Sequence, residues 1–411
     1  MPSPSRFRAS PFNGSGCPTL DGRRILITDV TLREGQQAAE VAFSDEEKAG
    51  IADQLADAGV PIVQVGYAGQ DEGAVRLIRR ANPNLDIASL VIGWQPTAEV
   101  AIKDAHDAGT SVCSLLFRST PAHLSDLGFT VPQAQERIRS LAEQASRLGF
   151  RHVVFGPSFA TLSDWATLEA LYGAAIDGGA DVISVADSTG VAAPWAMRAL
   201  VGRARDLAPG VAVRVHTHND YGLALANALA SVEAGADWVE ASVNGLGERA
   251  GNCSLEELAV ALSALYGYDT GIRTEQLTEL SQSVARSASV AIPPMKPIVG
   301  ENCFSNKLEI HVKTAARHPE LMEPFDPALV GGTRMIRLGR GTGPTGVSVR
   351  ARQLGVDLNP TEVTALVGWV NQQALATKRP VADDTFRQEI QWLRSNGSTR
   401  TTSALSSPNM T

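Results

Sequence analysis

Between residue 23 and about residue 267, short apolar runs rich in β-branched residues alternate with longer segments of helical periodicity. This alternation is typical of βα units around a parallel sheet. Eight consecutive units predict an α/β protein with a (β/α)8 TIM barrel, whose chemistry is expected at the carboxyl ends of the strands. The predicted strands are Arg24 to Val30, Ile62 to Gly66, Ile87 to Ile92, Val112 to Phe117, His152 to Phe155, Val182 to Ala186, Val211 to His216 and Trp238 to Val243.

Local signals at the helix ends agree with this pattern. Ser44 and Glu47 form the sequence of a capping box, which predicts that a helix begins there. Several predicted helices end in a small-residue turn that closes on a glycine, the residue best suited to the left-handed position after a helix. These glycines are Gly59, Gly109, Gly179 and Gly235.

The alternation stops after about residue 268, and the segment PPMKP at 293–297 indicates a rigid linker into a smaller, mainly helical C-terminal subdomain. The expected organisation is an N-terminal extension over 1–22, a TIM-barrel catalytic domain over 23–280, and the linker and subdomain over 281–394. Residues 395–411 are polar and low in complexity, which predicts a disordered tail.

Composition narrows the class of protein. The 411 residues are 44% hydrophobic and 19% charged, with a net charge of -8 and no basic stripe, so nucleic acid is not an expected partner. No apolar run approaches the roughly 20 residues that a membrane span needs. The N-terminus also lacks the apolar stretch of a signal peptide, so the expected location is cytoplasmic, without a membrane partner.

His216 and His218 are the strongest chemical signal, because they end the seventh predicted strand. Residues two apart on a strand project from the same face, so both imidazoles can reach one metal ion. A hydrogen-bonded histidine pair without metal is the alternative.

Two further polar segments follow strands that neighbour the seventh in a closed barrel. DVTLREGQQ (29–37) ends the first strand and offers a carboxylate for a metal and a guanidinium for an oxyanion; the alternative is an Arg and Glu pair that only organises a turn. NGLGERAGN (244–252) follows the eighth strand, and Asn252 could lend its carbonyl oxygen to a metal or belong to a helix cap. Zn, Mn, Co and Mg all suit such a donor set.

The runs DVTLREGQQ, HTHND and GLGERAGN together resemble the metal-dependent barrel enzymes that include isopropylmalate synthase, homocitrate synthase and hydroxymethylglutaryl-CoA lyase. The resemblance covers about residues 23–355. The segment IVGENCFSNKLEIHV (298–312) looks like the subdomain that the synthases carry after the barrel and the lyases lack. A synthase is therefore favoured.

The resemblance implies a divalent metal as cofactor, held by Glu34, His216 and His218, with Asn252 as a nearby or additional ligand. The implied reaction is a Claisen condensation of acetyl-CoA, the co-substrate, with a 2-oxo acid to give a 2-substituted malate. Such an enzyme is an acyltransferase of the homocitrate or alkylmalate synthase type. It is expected to work as a homodimer in which the subdomain of one chain covers the barrel of the other.

Other roles also follow from the resemblance. Arg33 would stabilise the oxyanion and contact substrate, and His311 would be the acid/base histidine supplied by the subdomain. Ser188 stands where relatives place a threonine that contacts the 2-oxo acid. Gln64 and His123 complete the expected substrate contacts, together with Ser158.

Some positions depart from the family pattern. Ser158 stands where relatives carry a glutamate that cooperates with the subdomain histidine, and Gln64 stands where a glutamate is frequent. Glu309 is one candidate substitute for the missing carboxylate. Gln64, Ser158, Leu162 and Ser188 are therefore predicted to accept an unusual substrate side chain, such as the phosphonate of phosphonopyruvate.

Alternative functions remain open at this point. The same metal and arginine could serve a lyase or aldolase that cleaves a carbon–carbon bond of a hydroxy-acyl substrate, and a non-catalytic descendant is a third hypothesis. The segment GTGPTG (341–346) fits a nucleotide-binding G-x-G-x-x-G pattern. We do not expect nucleotide binding there, because no βαβ unit surrounds it and Pro344 is predicted to interrupt the required helix start.

Overall fold

The computed structural model describes residues 7–14 and 24–400. Within residues 24–400, eight parallel strands form a closed barrel in sequence order, and the last strand pairs with the first. The predicted TIM barrel is therefore confirmed, and each predicted strand overlaps an observed one. The strands are β1 (Leu26–Asp29), β2 (Ile62–Tyr67), β3 (Asp86–Ile92), β4 (Val112–Arg118), β5 (His152–Ser158), β6 (Val182–Asp187), β7 (Ala212–Thr217) and β8 (Trp238–Ala241).

Helices connect these strands and bury an apolar stripe. In the 18-residue helix α5, the buried residues Ile138, Leu141 and Ala145 recur at helical spacing. The helices of this region are α1 (Asp45–Asp57), α2 (Glu72–Ala81), α3 (Ala98–Ala108), α4 (Pro121–Asp126), α5 (Val131–Leu148), α6 (Trp165–Asp177), α7 (Pro194–Leu207), α8 (Ala224–Glu233), α9 (Leu255–Tyr266) and α10 (Leu277–Ala288).

The predicted helix signals are present in the structure. The Ser44 side chain accepts from the Glu47 backbone N–H, and the Glu47 carboxylate accepts from the Ser44 N–H, which confirms the capping box. Gly109 ends α3 with φ of 103°, a conformation that costs glycine little and other residues more.

The two ends of the barrel differ in polarity. Near the amino ends of the strands, a buried apolar layer closes the interior; it comprises Ile62, Ala88, Val112, Val154, Val182 and Trp238. Buried polar and charged side chains lie further along, at Arg214 and His216 on β7 and at Glu240 on β8. The barrel interior is thus apolar at one end and charged towards the other, where TIM barrels place their chemistry.

Five strands, β2 and β4 to β7, end later than the sequence indicates, and the ends of β4 and β5 bear on the site. The prediction ends the fourth strand at Phe117 and the fifth at Phe155, whereas β4 includes Arg118 and β5 includes Ser158, and these two residues are partners in the parallel register. The Gly-Pro pair at 156–157 is typical of a strand end because proline cannot donate to the ladder. The strand nevertheless continues through it.

The described residues fall into two compact units. The barrel unit contains residues 9–14, 24–293 and 297–299, and the second unit contains residues 7–8, 294–296 and 300–400. The second unit is smaller and mainly helical, as predicted. Its elements are β9 (Ser305–Asn306), α11 (Glu309–Ala315), β10 (Met335–Ile336), α12 (Pro344–Gln353), α13 (Pro360–Thr377) and α14 (Asp383–Asn396).

An apolar core holds the C-terminal helices of the second unit together. Trp369 and Phe386 are its largest fully buried side chains, on α13 and α14 respectively. The remaining members of this core are Leu338, Val347, Ala351, Leu366, Val370, Val381, Ile390 and Leu393.

The GTGPTG segment leads into α12, and one prediction about it is wrong. Pro344 does not interrupt a helix start, because it is the first residue of α12, where a missing N–H costs nothing. The N-terminus of α12 is already used by Glu309, whose carboxylate accepts from the backbone N–H groups of Thr345 and Gly346. These bonds lower the pKa of Glu309 although burial opposes them.

Two of the predicted domain boundaries fall inside helices. The predicted boundary at residues 280 and 281 lies within α10, and α14 extends to Asn396, so that it includes the first two residues of the predicted tail. Residues 401–411 of that tail, and residues 1–6 and 15–22 of the N-terminal extension, lie outside the described residues. Within the described part, no helix combines the length and the apolarity that crossing a bilayer requires.

Candidate active site

Glu34, His216 and His218 come together at the carboxyl ends of β1 and β7. One ligand atom from each lies within 4.8 Å of the others, and all three residues are buried. The two imidazole Nε2 atoms are 3.1 Å apart, and His218 Nε2 is 3.6 Å from a Glu34 carboxylate oxygen. Two nitrogens and one oxygen thus converge on a single point, as a metal ion requires.

Asn252 contributes the strongest sign that this group fits an ion. Its Nδ2 donates to the Leu246 carbonyl oxygen at 3.2 Å, while its buried Oδ1 accepts no hydrogen bond from any described residue. An amide oxygen left unpaired in the interior is costly unless something binds it, and divalent cations accept amide oxygens. Asn252 does not cap α9, because the N-cap position belongs to Ser254.

His218 is held in the protonation state that a metal needs, and His216 is held in a suitable orientation. Burial first, and the neighbouring His216 second, lower the pKa of His218 to about 3, so its imidazole is neutral at physiological pH. His216 Nδ1 lies 2.8 Å from a Glu240 carboxylate oxygen. This contact leaves Nε2 of His216 directed at Glu34 and His218, which is the usual carboxylate support for a metal-binding histidine.

Glu240 belongs to a second buried ion pair. Its other carboxylate oxygen is 2.8 Å from the Arg214 guanidinium, and both side chains are at most 5% exposed. Burial would raise the pKa of Glu240, but Arg214 and His216 outweigh it and hold the value at about 2. The carboxylate is therefore ionised at physiological pH.

Arg33 lies beside the metal-binding group. Its guanidinium forms an ion pair with Glu34, and its Nε donates to Gln64 Oε1 at 2.6 Å. The Arg33 and Glu34 pair expected under the turn hypothesis does form, but Asp29 organises the turn by accepting from both the N–H and the hydroxyl of Thr31. Gln64 thus orients Arg33, while Asp29 and Thr31 form the hydrogen bonds of the turn.

A cavity of about 350 Å³ opens above this group. Ser158 and Ser188 line it, as do Arg33, Glu34, His216 and His218. The remaining lining residues are Gln37, Tyr67, Leu90, Trp94, Leu116, Arg118, Gly156, Phe159, Ser184, Ala186, Thr189, Arg214, Glu240, Glu248 and Arg249.

The two serines in the cavity wall hold backbone. Ser188 Oγ accepts from the Phe159 N–H at 2.8 Å, and Ser158 Oγ donates to the Phe117 carbonyl oxygen at 3.3 Å. Phe159 has φ of 62°, which is rare for a bulky residue and needs external support. Ser188 supplies that support and keeps its hydroxyl proton for another acceptor.

Three residues that were predicted to contact substrate do not line this cavity. Gln64 is fully buried and reaches the cavity only through Arg33. His123 is paired with Thr120 Oγ1 at 2.9 Å, and its ring packs on Phe159 at 4.3 Å, so it lies behind the cavity wall. Leu162 lines a separate groove with residues of α7.

His311 belongs to the second unit. It lies on α11 and is exposed, and its imidazole makes no hydrogen bond or ion pair within the described part of the chain. The carboxylate of Glu309, on the same helix, already accepts hydrogen bonds from the backbone N–H and the hydroxyl of Thr345 at the start of α12. The hypothesis that Glu309 replaces the missing family glutamate therefore has no support.

Sequence reasoning missed Arg214, Glu240 and Arg118. A signal existed for the first two, because Arg214 interrupts the apolar run AVRVHT and shares a strand face with His216, while Glu240 interrupts WVEA. A charged residue that points into a barrel is expensive and needs a partner of opposite sign. Arg118 had no such signal, because it fell beyond the predicted end of its strand.

Comparison with known proteins agrees with the geometry. A model of the HMGL-like family matches residues 24–284, and one described as homocitrate synthase post-HMGL domain-like matches residues 298–379. A homocitrate synthase from Methanopyrus kandleri is 36% identical over 89% of this chain and 91% of its own length. A 2-isopropylmalate synthase from Methanocaldococcus jannaschii is 36% identical over 82% of this chain and 64% of its own length.

Solved structures support the fold. An HMG-CoA lyase from Bacillus subtilis superposes with a TM-score of 0.59 at 17% identity, covering 66% of this chain and 96% of the lyase. A second HMG-CoA lyase, solved with coenzyme A and 3-methylmalate, gives 0.57 at 22% identity over 66% of this chain and 93% of its own. At these identities the likeness shows the fold alone.

Proposed function

Because the chain belongs to the HMGL-like family and carries a homocitrate synthase post-HMGL domain-like segment after its barrel, we propose that it is an acyltransferase that condenses acetyl-CoA with a 2-oxo acid. The products would be a 2-substituted malate and coenzyme A. The observation that carries the proposal is the group of Glu34, His216 and His218 beside Arg33, in a cavity at the carboxyl ends of the strands.

The donor set fits a divalent ion. Zn, Mn, Co or Mg held by Glu34, His216 and His218, with Asn252 as a further donor, would supply Lewis-acid polarisation of the 2-oxo group. Glu240 fixes the orientation of His216 through its Nδ1. The neutral His218 keeps a lone pair for the ion, since protonation of the buried imidazole is unfavourable.

Arg33 is placed for the charge that develops during carbon–carbon bond formation. Its guanidinium adjoins the metal-binding carboxylate of Glu34 and is oriented by the bond from Nε to Gln64. A fixed cation at this point would hold the negative charge on the former keto oxygen. Because Arg33 and Glu34 are both buried, this interaction is worth more than it would be in water.

We assign the proton transfer to His311, following the family resemblance. A base must remove a methyl proton from acetyl-CoA, so that the resulting enolate can attack the 2-oxo carbon. The exposed imidazole of His311 makes no hydrogen bond or ion pair with the described residues and is therefore available. In the proposed homodimer it would serve the barrel of the partner chain, and hydrolysis of the thioester by water would then release coenzyme A.

The test is thiol release from acetyl-CoA by metal-loaded protein, measured with each of several 2-oxo acids, with and without a chelator. We expect release with at least one acid, loss on chelation, and loss in His218→Ala. His318→Ala is the matched control, because that side chain is 62% exposed on the second unit. If no acid supports release while hydroxy-acyl-CoA substrates are cleaved, the lyase alternative replaces this proposal.

A further inference from the structure

Arg118 is a cavity residue that the proposed reaction leaves without a role. It is the last residue of β4, and its side chain lines the same cavity as Glu34, His216 and His218. Leu116 lies two positions earlier and also lines the cavity, as expected for residues on one face of a strand. Arg118 is only partly exposed, so water does not fully solvate its guanidinium.

The other arginines of the cavity have acidic partners. Arg33 pairs with Glu34, Arg214 pairs with Glu240, and Arg249 binds both carboxylate oxygens of Asp220. Arg118 makes no ion pair with any carboxylate in residues 7–14 and 24–400. Among the arginines that line the cavity, Arg118 is therefore the one that pairs with no carboxylate of the described residues.

The guanidinium is nevertheless held in place. It lies over the Trp94 ring, 5.6 Å from the centroid, and Trp94 packs edge-on against Phe117 at 6.0 Å. Stacking on an aromatic ring orients the plane of an arginine and leaves its N–H groups directed sideways. Arg118 is thus presented as an oriented donor at the cavity wall.

The position opposite Arg118 carries no charge. Ser158 is its register partner on β5, and the Ser158 hydroxyl is directed to the Phe117 carbonyl oxygen. Leu90, Leu116 and Phe159 supply apolar surface to the same cavity. A cation among such neighbours gains most from an anionic group that enters with the ligand.

We propose that Arg118 binds an anionic distal group of the 2-oxo acid, a carboxylate or a phosphonate, and so selects substrates that carry a second negative charge. The inference rests on the proposed function and names its substrate class. The 2-oxo end lies at Glu34 and the histidines, and the second anion lies at Arg118. A neutral branched side chain would remove water from the guanidinium without supplying an opposite charge. A site built to bind a polar group rejects such a substrate.

The first experiment compares matched substrates in the metal-loaded full chain. 2-Oxoglutarate and 2-oxoglutaramate differ only in a carboxylate against an amide, and phosphonopyruvate and 2-oxobutyrate form a second pair. We expect kcat/KM to favour the anionic member of the preferred pair by about 10- to 100-fold, the range for one charge-assisted hydrogen-bonded contact. A preference for the neutral members would overturn the proposal.

Variants of Arg118 and Ser158 test whether the preference for the anionic acid arises at this position. Arg118→Met should remove the preference for the anionic acid and leave kcat/KM for the neutral acid within a few fold, while Arg118→Lys should retain part of it. Ser158→Glu should also reduce the preference for the anionic acid over the neutral one, because a carboxylate opposite Arg118 would pair with it. Arg147→Met is the matched control, since that arginine is 74% exposed on α5.

Two outcomes separate this inference from its alternatives. The phosphates of coenzyme A are the other source of anionic groups, and a rise in KM for acetyl-CoA alone in Arg118→Met would overturn the proposal in their favour. Binding of 2-oxoglutarate and 2-oxoglutaramate, followed by tryptophan fluorescence, needs no turnover. Arg118-dependent anion binding without thiol release would refute the condensation but keep the anion site, whereas binding unaffected by Arg118→Met would overturn the anion site.

Discussion

Replacing Glu240 by glutamine should damage both stability and metal binding, because this carboxylate serves two buried partners. One oxygen lies 2.8 Å from His216 Nδ1, and the other lies 2.8 Å from the Arg214 guanidinium. Glutamine has almost the same shape but no charge. The substitution therefore leaves Arg214, which is 5% exposed, in the barrel interior without its counter-ion.

The size of the effect follows from the electrostatics. The drop of the Glu240 pKa from 4.5 to about 2 corresponds to about 3 kcal/mol in favour of the ionised form. Removing one partner of a buried ion pair typically costs about 3–5 kcal/mol, since the other charge stays buried. An amide oxygen is also a weaker acceptor for His216 Nδ1–H, and loss of such support lowers metal affinity by about 10- to 100-fold.

Two measurements check these values. Urea unfolding should give a loss of about 3 kcal/mol in Glu240→Gln, and competition with a chelator should report the lower metal affinity. Glu143→Gln is the matched control, because its ion pair with Arg147 is exposed and should contribute less than about 1 kcal/mol.

A double variant separates the two effects. Arg214→Met with Glu240→Leu removes both charges and should recover most of the stability, but not the metal affinity. Wild-type stability and wild-type metal affinity in Glu240→Gln would refute the reasoning about this buried pair.

Two further predictions follow from the structure. Burial raises the pKa of Asp29 from 3.8 to about 7, so this group favours the folded state at low pH and its contribution is lost as the pH rises through about 4 to 7. Asp29→Asn should remove that part of the pH dependence of the free energy of unfolding in urea between about pH 4 and pH 7; an unchanged slope would contradict it. We expect two variants, Arg33→Met and His311→Ala, to be inactive on their own. After subunit exchange, a mixture of the two should regain roughly a quarter of wild-type thiol release. The reason is that half of the dimers would be mixed, and each mixed dimer would hold one intact site out of two. Proven exchange without recovery would exclude a site shared between chains.

The barrel could be predicted from sequence because its signal is repeated. Each βα unit carries its own apolar run, its own helical periodicity and often a glycine at the helix end, so an error in one unit does not change the fold. The capping box at Ser44 and the left-handed Gly109 are local features that depend on adjacent residues alone. Strand ends were less well predicted, because pairing with a neighbouring strand extended β5 through a Gly-Pro sequence.

The candidate metal ligands were also predictable, since His216, His218 and Glu34 follow strands whose order places them together. The residues that orient these ligands and Arg33 could not be predicted in the same way. Glu240 and Arg214 pair across β7 and β8, and such a pair depends on register, which a single sequence does not reveal. Gln64 was expected to contact substrate. In the structure it does not line the cavity, and it orients Arg33 by accepting a hydrogen bond from Nε.

The error at the strand ends bears directly on the site. Ending the fourth strand at Phe117 and the fifth at Phe155 leaves Arg118 and Ser158 in loops with no defined relation to each other. Extending both strands makes these two residues register partners whose side chains line one cavity. The serine at position 158, where the family resemblance implies a glutamate, then acquires a physical meaning. A carboxylate at position 158 would neutralise Arg118, whereas serine leaves the guanidinium for a substrate anion. The departure from the family pattern and the unpaired charge are thus two aspects of one feature, which is why Ser158→Glu and Arg118→Met are expected to change selectivity in the same direction.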